Sequence, residues 1–277
     1  MNSAMQAPTL SELLAAASAD LTPIERKIAA AIVAEPTLPA FGSVSDLAQH
    51  VGTSRPSIVR FAQKLGFEGY PELQEHVRGG LTLGPTRPSD RIREAESSTT
   101  QGSIGEAIAS VFAALEGERI ESLAAPIVAA NQVWVLSGET SKAGGAAFHS
   151  GLSMLRKGTI FLGGGSLEPN LSSAGAGDTA VVFDFYRYRR SVTTATRILA
   201  DAGVTIVAVT DSPLSPLVAL ADRWCTIQVP AIGPFDSSAP VVLLAELLVA
   251  QVANELHDDA KARIDRIEEL WEATGRF

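Results

Sequence analysis

The chain has 277 residues, of which 46% are hydrophobic and 19% are charged, a composition typical of a globular protein long enough for two domains. The formal net charge of −9 and the pI near 5 exclude a protein that coats nucleic acid regardless of sequence. They leave room for a local basic surface, because phosphate attraction is screened beyond about one Debye length.

Cysteine usage and hydropathy indicate the compartment. The single cysteine, Cys225, lies in an apolar segment, and we expect a buried small hydrophobe in a reducing cytoplasm. The longest apolar run, residues 239–253, is interrupted by Glu246 and Gln251. We expect this run to be a core or interface helix, too short to cross a membrane. The amino terminus shows no export signal, so the sequence predicts a cytoplasmic protein without a membrane partner.

The amino-terminal region carries helix signals. Residues 9–19 are rich in Ala and Leu and are expected to form a short helix. Thr22, Pro23 and Glu25 have the spacing of a capping box, with proline at the first helical position. A further helix is expected over residues 71–78. These signals predict a small all-helical domain.

Residues 45–66 indicate two short helices around a tight turn. Ser45 is expected to cap the first helix, and Gly52 supplies the conformational freedom that the turn needs. Ser54 is expected to cap the second helix, with Pro56 where a missing N–H costs little. The second helix has several cations and no acid, which suits a DNA major groove. An ordinary helical hairpin with a solvated basic face is the alternative.

The chain then changes character. Residues 81–103 are rich in Gly, Pro, Ser and Thr and are expected to be a linker. From residue 132, short apolar strands alternate with helices, which predicts a parallel sheet covered on both faces. The strands are expected at residues 133–136, 159–162, 180–185, 204–209 and 224–229. Ligands of such sheets bind outside the carboxyl ends of the strands, so the loops there are the candidate ligand site.

Three amino-terminal segments together resemble the RpiR-type bacterial transcription regulators. They are LTPIERKIAAAIVAEP, SVSDLAQHVGTSRPSIVRFAQKLGF and GYPEL, in that order and at the spacing of the family. The resemblance implies a domain that binds operator DNA as a dimer. The candidate DNA-contacting residues are Ser45, Thr53, Ser54, Arg55, Ser57, Arg60 and Lys64.

The resemblance also implies roles for individual side chains. Arg55 is suited to guanine, and Lys64 is suited to a phosphate. For Arg60 an alternative stays open, because in a tightly packed helical domain it can pair with an acid such as Glu25 or Asp46.

The carboxyl-terminal part resembles the sugar-isomerase-type (SIS) effector domain of the same family, on the segment VTDSPLSPLVALADRW. The fold class expected is α plus α/β: an all-helical helix-turn-helix domain followed by a parallel-sheet SIS domain. The corresponding division is a DNA-binding domain at residues 1–80, a linker at 81–103, and a SIS effector-binding and oligomerisation domain at 104–277.

The effector loops depart from the SIS pattern. In SGETS, Ser141 keeps the expected serine, but Ser137 and Glu139 stand where glycines are common. After the third strand, arginines and tyrosines replace small hydroxyl donors, and guanidinium groups bind carboxylate or phosphate well. The alternatives are simple capping by Ser141 and arginines that pair with a neighbouring subunit or face water. The candidate effector-binding residues are Ser137, Thr140, Ser141, Arg187, Tyr188, Arg189 and Arg190.

The sequence therefore predicts a transcription regulator that binds double-stranded operator DNA and a small anionic metabolite, and that forms a homo-oligomer, either dimer or tetramer. No catalytic residue, metal site or cofactor is expected, because no acid, base or nucleophile has an identifiable partner. Two alternatives stay open: a phosphosugar isomerase-like enzyme, and a regulator whose SIS domain only oligomerises.

Overall fold

A computed structural model describes residues 10–17, 20–34, 37–81, 100–162, 168–185, 188–213 and 215–276. Its contacts divide the chain into two compact units, residues 1–94 and residues 95–277. The expected boundaries at 80/81 and 103/104 stay predictions, since most of the proposed linker lies outside the described residues. The helix that begins at Thr100 overlaps the last residues of that linker.

The described part of the first unit is helical. Its helices are α1 (Leu10–Ala17), α2 (Pro23–Ala34), α3 (Thr37–Phe41), α4 (Val44–Val51), α5 (Arg55–Lys64) and α6 (Tyr70–Leu81). The capping box at the start of α2 is confirmed: the Thr22 N–H donates to Glu25 Oε2 at 2.8 Å, and the Glu25 N–H donates to Thr22 Oγ1 at 3.4 Å.

One expectation for this unit is wrong, and one element was not predicted. The cap of α4 is Ser43, not Ser45: Ser43 Oγ accepts the Asp46 N–H at 3.1 Å, and the Asp46 carboxylate accepts the Ser43 N–H at 2.6 Å. Two serines two residues apart offer the same chemistry, and the actual helix start decides between them. The short helix α3 was not expected, because Pro36 signals only the end of α2.

A compact apolar core joins these helices. Ile28 and Ile32 of α2 pack with Leu47 of α4 and with Ile58 and Phe61 of α5, all fully buried. Phe61, which the sequence analysis did not place inside, holds the second helix of the helix-turn-helix against the rest. Burying one large aromatic side chain contributes roughly 1.5–3 kcal/mol relative to exposure.

The second unit is an α/β domain. Its helices are α7 (Thr100–Ala114), α8 (Arg119–Ala129), α9 (Lys142–Leu155), α10 (Glu168–Leu171), α11 (Arg190–Asp201), α12 (Ala239–Leu256) and α13 (Asp258–Ala273), with a 3-10 turn at Val218–Leu220. Its strands are β1 (Val133–Ser137), β2 (Thr159–Leu162), β3 (Thr179–Phe183), β4 (Thr205–Thr210), β5 (Arg223–Thr226), β6 (Ala231–Ile232) and β7 (Phe235–Asp236).

The strands β1 to β5 form one parallel sheet in the order β2-β1-β3-β4-β5. One apolar layer packs α7, α8, α9 and α12 on one face, and a second layer packs α11 on the other. The expected fold class is therefore confirmed. The antiparallel pair β6–β7 was not expected, because strands of two residues leave no periodic signal.

The apolar run near the carboxyl end is longer than expected. The helix α12 has 18 residues and a mean hydropathy of 1.5, enough by length and composition to cross a membrane, so the expectation of a shorter run is wrong. The helix packs on α8 and α9 and buries Val241, Leu244 and Leu248. Those contacts are typical of a core helix.

Candidate functional site

The turn between α4 and α5 sets the start of the candidate recognition helix. The helix α4 ends at Gly52 in the left-handed conformation, with φ at 72°. The Thr53 N–H then bonds to the Ala48 carbonyl at 2.8 Å. Ser54 caps α5, its Oγ accepting the Ser57 N–H at 3.4 Å. The expected cap is confirmed, and the amino end of α5 is held by local hydrogen bonds.

Polar side chains meet at that amino end. Ser54 Oγ lies 2.9 Å from Ser57 Oγ, which also accepts a hydrogen bond from the Arg60 guanidinium at 3.3 Å. Arg55 is exposed, and its side chain has no hydrogen-bond or ion-pair partner in the part of the chain that the structure describes. Arg55 is thus available to a ligand, while Ser54, Ser57 and Arg60 form one connected polar group.

Lys64 is not available in the same way. Its Nζ lies 2.8 Å from Glu25 Oε2 and also donates to the Asp20 carbonyl. The ion pair holds the pKa of Glu25 down at about 2, chiefly through the hydrogen bond from Lys64. Lys64 therefore ties the end of α5 to α2, and Arg60 bonds within its own helix rather than to Glu25.

The two remaining candidates are less exposed. Ser45 is half-buried in the first turn of α4, one residue after the helix begins, and Thr53 is half-buried in the turn. Both residues precede α5 by a few positions in the chain, and their contact with DNA stays a prediction.

The last helix of the unit anchors the segment that leads into α4. Tyr70 and Gln74 of α6 donate to the carbonyl of Gly42, at 3.2 and 2.7 Å. Arg78 donates twice to the carbonyl of Ala40, at 2.7 and 3.1 Å. These bonds satisfy carbonyls at the end of α3 and fix where α4 starts.

The candidate effector loops lie where the strand order reverses. The strands β1 and β3 are neighbours, although β2 lies between them in the chain and on the other side of β1. Crevices of open parallel sheets form at such a point, outside the carboxyl ends of the strands. The loop at residues 137–141 follows β1, and the loop at residues 184–190 follows β3, so both border this crevice.

Asp184 lies against the first loop. The side chain is 1% exposed, and its Oδ1 is so close to Gly138 that a Cβ at that position would force the carboxyl group to move. Its Oδ2 accepts the Arg189 N–H at 2.8 Å. Burial raises the pKa of Asp184 to about 7, and the charge of Asp211 contributes to the rise. Asp184 was not among the predicted site residues, although an acid at the end of an apolar strand indicates such a position.

The serines of the first loop face the protein. Ser141 is fully buried, and its Oγ donates to the Phe183 carbonyl at 2.6 Å and makes no capping bond to α9. Ser137 Oγ is also buried, without a hydrogen-bond partner among the described residues. Thr140 and Glu139 are exposed. The Ser141 hydroxyl therefore joins the loop to β3 and does not cap α9, while its contact with an effector stays a prediction.

The second loop combines an acidic floor with exposed cations. The Tyr188 hydroxyl donates to Asp211 Oδ1, and Thr210 Oγ1 lies 3.4 Å from both groups. Burial raises the pKa of the Tyr188 phenol far above its usual value. Arg189 and Arg190 are exposed at the amino end of α11. Arg187 lies outside the described residues, so its role stays a prediction.

Family comparisons agree with this architecture. The model of the helix-turn-helix domain, rpiR family, matches residues 9–82, and the SIS domain model matches residues 160–251. An uncharacterized HTH-type transcriptional regulator of Caldanaerobacter subterraneus is 26% identical over 246 residues, 85% of this chain and 83% of that protein. The HTH-type transcriptional regulator HexR of Pseudomonas aeruginosa is 32% identical over 75 residues, 27% of this chain and 26% of its own length.

Solved structures show the same fold. The NanR protein of Vibrio vulnificus, in complex with ManNAc-6P, superposes with a TM-score of 0.61 at 17% identity over 96% of this chain and 98% of its own. The sugar isomerase domain of an RpiR transcription factor from Sphaerobacter thermophilus superposes with a TM-score of 0.56 at 24% identity, over 61% of this chain and 94% of its own. The chain thus places an rpiR-type helix-turn-helix domain ahead of a SIS domain and has relatives that are named transcriptional regulators, so its resemblance to the RpiR-type DNA-binding transcription regulators is confirmed.

Proposed function

We propose that this chain binds a specific double-stranded operator through α5 and responds to a small anionic metabolite of the sugar-phosphate or sugar-acid type. It acts in the cytoplasm as a homo-oligomer, dimer or tetramer. The exposed guanidinium of Arg55, which has no partner among the residues that the structure describes, lies beside the Ser54–Ser57 pair and carries the DNA-binding half of this proposal.

Physical chemistry supports α5 as the DNA-contacting helix. A guanidinium can donate two hydrogen bonds to the edge of guanine, and short hydroxyls bond to phosphates or base edges. The amino end of a helix also attracts phosphate through its free N–H groups and its dipole. Lys64 is expected to act mainly by orienting α5, because its charge is already paired with Glu25.

The DNA half can be tested by fluorescence anisotropy with the DNA upstream of the gene, titrated at several salt concentrations. We expect sequence-selective binding that weakens as salt rises. Arg55→Ala should cost about 1–3 kcal/mol and relax the preference at one base pair. Arg197→Ala, which removes an exposed arginine of α11, is the matched control and should bind as the wild type does. Equal loss in both variants would show that only net charge matters.

Three observations support an effector site in the crevice between β1 and β3. The crevice lies at the reversal of strand order, Arg189 and Arg190 are exposed beside it, and Ser137 Oγ is buried without a partner among the described residues. The carboxylate of Asp211, which accepts the Tyr188 hydroxyl, disfavours a phosphate next to it, so the anionic group is expected at the arginines. Hydroxyls of the ligand can donate to that carboxylate. The NanR complex with ManNAc-6P has the same fold and makes sugar phosphates the first ligands to test.

Thermal shift measurements with a panel of sugar phosphates and sugar acids test the effector half. A ligand that binds only the folded state adds about 2.7 kcal/mol to the free energy of unfolding at one hundred times its Kd. The melting temperature therefore rises. The shift should vanish in Arg189→Ala and persist in Arg197→Ala. No shift with any ligand would favour a SIS domain that only oligomerises. Interconversion of an aldose and a ketose phosphate by the purified protein would favour an enzyme.

The proposed oligomer has two supports. One is the apolar face of α12, and the other is that a palindromic operator needs two recognition helices. Leu243, Leu247 and Val249 of α12 remain partly exposed in the single chain. A symmetric dimer places two recognition helices on two half-sites, and light scattering with size exclusion measures the assembly. A monomer at micromolar concentration, with or without operator DNA, would contradict this part.

A further inference from the structure

Asp184 contacts both loops of the effector crevice and the strand beside them. Its Oδ1 lies so close to Gly138 of the first loop that a Cβ there would displace the carboxyl group. Its Oδ2 accepts the Arg189 N–H at 2.8 Å, at the end of the second loop. The Asp184 N–H donates to the Val209 carbonyl of β4 at 3.2 Å. One side chain, almost fully buried, therefore joins the two loops that border the crevice.

The position of Arg189 depends on two aspartates. Its N–H donates to Asp184, and the hydroxyl of the preceding residue, Tyr188, donates to Asp211 Oδ1. Both bonds restrain the backbone from which the Arg189 side chain extends. The guanidinium itself is exposed and has no hydrogen-bond or ion-pair partner in the described part of the chain. Arg189 is therefore a restrained cation that an anionic ligand can reach.

The protonation of Asp184 is coupled to the charge of Arg189. Burial, and to a lesser extent the charge of Asp211, raises the pKa of Asp184 to about 7, while the charge of Arg189 acts in the opposite direction. The protonated and the ionised forms of Asp184 are therefore both populated near neutral pH. The ionised form attracts the Arg189 guanidinium, so an anionic ligand and Asp184 compete for one cation.

The other titratable groups around the crevice are arranged differently. Burial raises the pKa of the Tyr188 phenol far above its usual value, so this hydroxyl stays neutral. His149 of α9 lies against the ring of Phe161 in β2, with 5.7 Å between the ring centroids. The remaining charged side chains of the adjoining segments are exposed: Glu139, Lys142 and Arg190. The charges of Asp211 and Arg189 have the largest effect on Asp184, so a change of its protonation acts first on Arg189.

We propose that Asp184 is a positioning residue of the effector crevice, which holds Arg189 for the acidic group of the effector and weakens that contact when it loses its proton. This inference rests on the proposed function, because it requires an effector whose acidic group binds Arg189. A bound anion favours the protonated carboxyl, and the proton comes from the solvent. By reciprocity, effector affinity falls as pH rises through about 7, by at most about tenfold for each pH unit.

Isothermal titration calorimetry of the full chain, with D-gluconate and ManNAc-6P as probes, tests this coupling at about pH 6 and about pH 8. The charge of gluconate is constant over this interval, whereas a sugar phosphate titrates, so each probe is compared with itself in Asp184→Asn. We expect the wild type to bind gluconate at least about threefold more tightly at the lower pH. Titrations in two buffers with different ionisation enthalpies should show that either probe, on binding, takes up protons that Asp184→Asn does not.

Three variants assign the effect to Asp184. Asp184→Asn keeps the shape of the side chain and an oxygen for the Arg189 N–H but cannot ionise, so it should bind gluconate equally at both pH values. Asp201→Asn, which replaces an exposed acid of α11, is the matched control and should behave as the wild type does. Arg189→Gln should lose the probe at both pH values, which places the binding at the crevice. A thermal melt checks that each variant is folded.

A measurement without ligand tests the contact itself. The amide resonance of Arg189 in the wild type should shift with a midpoint near pH 7, because its hydrogen-bond acceptor ionises there. The shift should be absent in Asp184→Asn. An Arg189 amide that does not titrate in the wild type overturns the inference, whether or not a probe binds.

Two further results separate this inference from the proposed function. If the amide titrates but the affinity of the wild type and of Asp184→Asn depends on pH in the same way, the inference is overturned and the effector site remains. If neither probe binds the wild type at millimolar concentration, the inference is overturned as well. The thermal shift panel then decides separately whether the crevice binds any effector.

Discussion

The two candidate sites of this protein are built in opposite ways. At the amino end of α5, polar groups bond to neighbours three residues away, as Ser54 does with Ser57, and Arg55 stays exposed. In the effector crevice Ser141 and Asp184 are buried and contact distant parts of the chain. Ser141 donates to a carbonyl 42 residues later, and Asp184 packs on Gly138. A short segment of sequence can therefore encode a DNA-binding face, whereas a ligand crevice depends on the packing of the whole sheet.

The largest effect is expected from a substitution that disturbs the helix packing beneath the crevice. A Cβ on Gly144 of α9 would lie 2.3 Å from Val241 Cγ1 and 3.2 Å from the Val241 carbonyl of α12. Gly144→Ala should therefore force the two helices apart and destabilise the second unit by about 1–3 kcal/mol. The free energy of unfolding in urea measures the loss.

The matched control is Gly105→Ala in α7, where a new Cβ meets nothing within 4 Å. It should be neutral or stabilise the helix by about 0.5–1 kcal/mol, since alanine has the higher helix propensity. If Gly144→Ala unfolds at the same urea concentration as this control, the close packing of α9 on α12 is not as described.

The buried carboxyl of the crevice makes the stability of the second unit depend on pH. The pKa of Asp184 is about 7 in the folded protein, raised by burial from 3.8, so the folded state holds a proton that the unfolded state has released. Stability should then fall as pH rises between about 4 and 7, by at most about 1.4 kcal/mol for each pH unit. In Asp184→Asn this part of the slope should disappear, as measured by urea unfolding at a series of pH values.

An exposed acid of the same unit provides the comparison. Asp201→Asn at the end of α11 should leave the slope unchanged. A wild-type protein whose stability does not vary between pH 4 and 7 would mean that Asp184 is ionised and fully compensated, which contradicts its burial.

The smallest effect is expected at the ion pair between α5 and α2. The Glu25–Lys64 pair is partly exposed, with 15% and 32% of the side-chain surfaces accessible, so Lys64→Met should cost only about 0.2–1 kcal/mol. The folded pKa of Glu25 is lowered to about 2, so the contribution is complete above pH 4.5 and is lost as pH falls toward 2.

The matched variant is Lys27→Met, an exposed lysine of α2. It should not change the melting temperature measurably at neutral pH. A different result is that Lys64→Met leaves stability unchanged but weakens DNA binding as strongly as Arg55→Ala. Lys64 would then contact phosphate, as the sequence predicts, and would leave Glu25 when DNA binds.

Much of the fold was predictable because its signals are local. The capping box at Thr22, the cap at Ser54 and the strands at residues 133–136 and 159–162 all follow from spacing within a few residues. The errors occurred where local chemistry was ambiguous or silent. Ser43 rather than Ser45 caps α4, and α3 and the pair β6–β7 are too short for any period to show.

The sequence by itself determined the order of two domains, the family resemblance and the helix that carries Arg55, because each depends on residues close together in the chain. Only the tertiary structure decided that Lys64 pairs with an acid 39 residues away and that Ser141 faces the sheet. It also decided that Asp184 is buried against Gly138. The physical reason is that burial and long-range pairing depend on which elements pack together, and the spacing of residues within one element does not encode that choice.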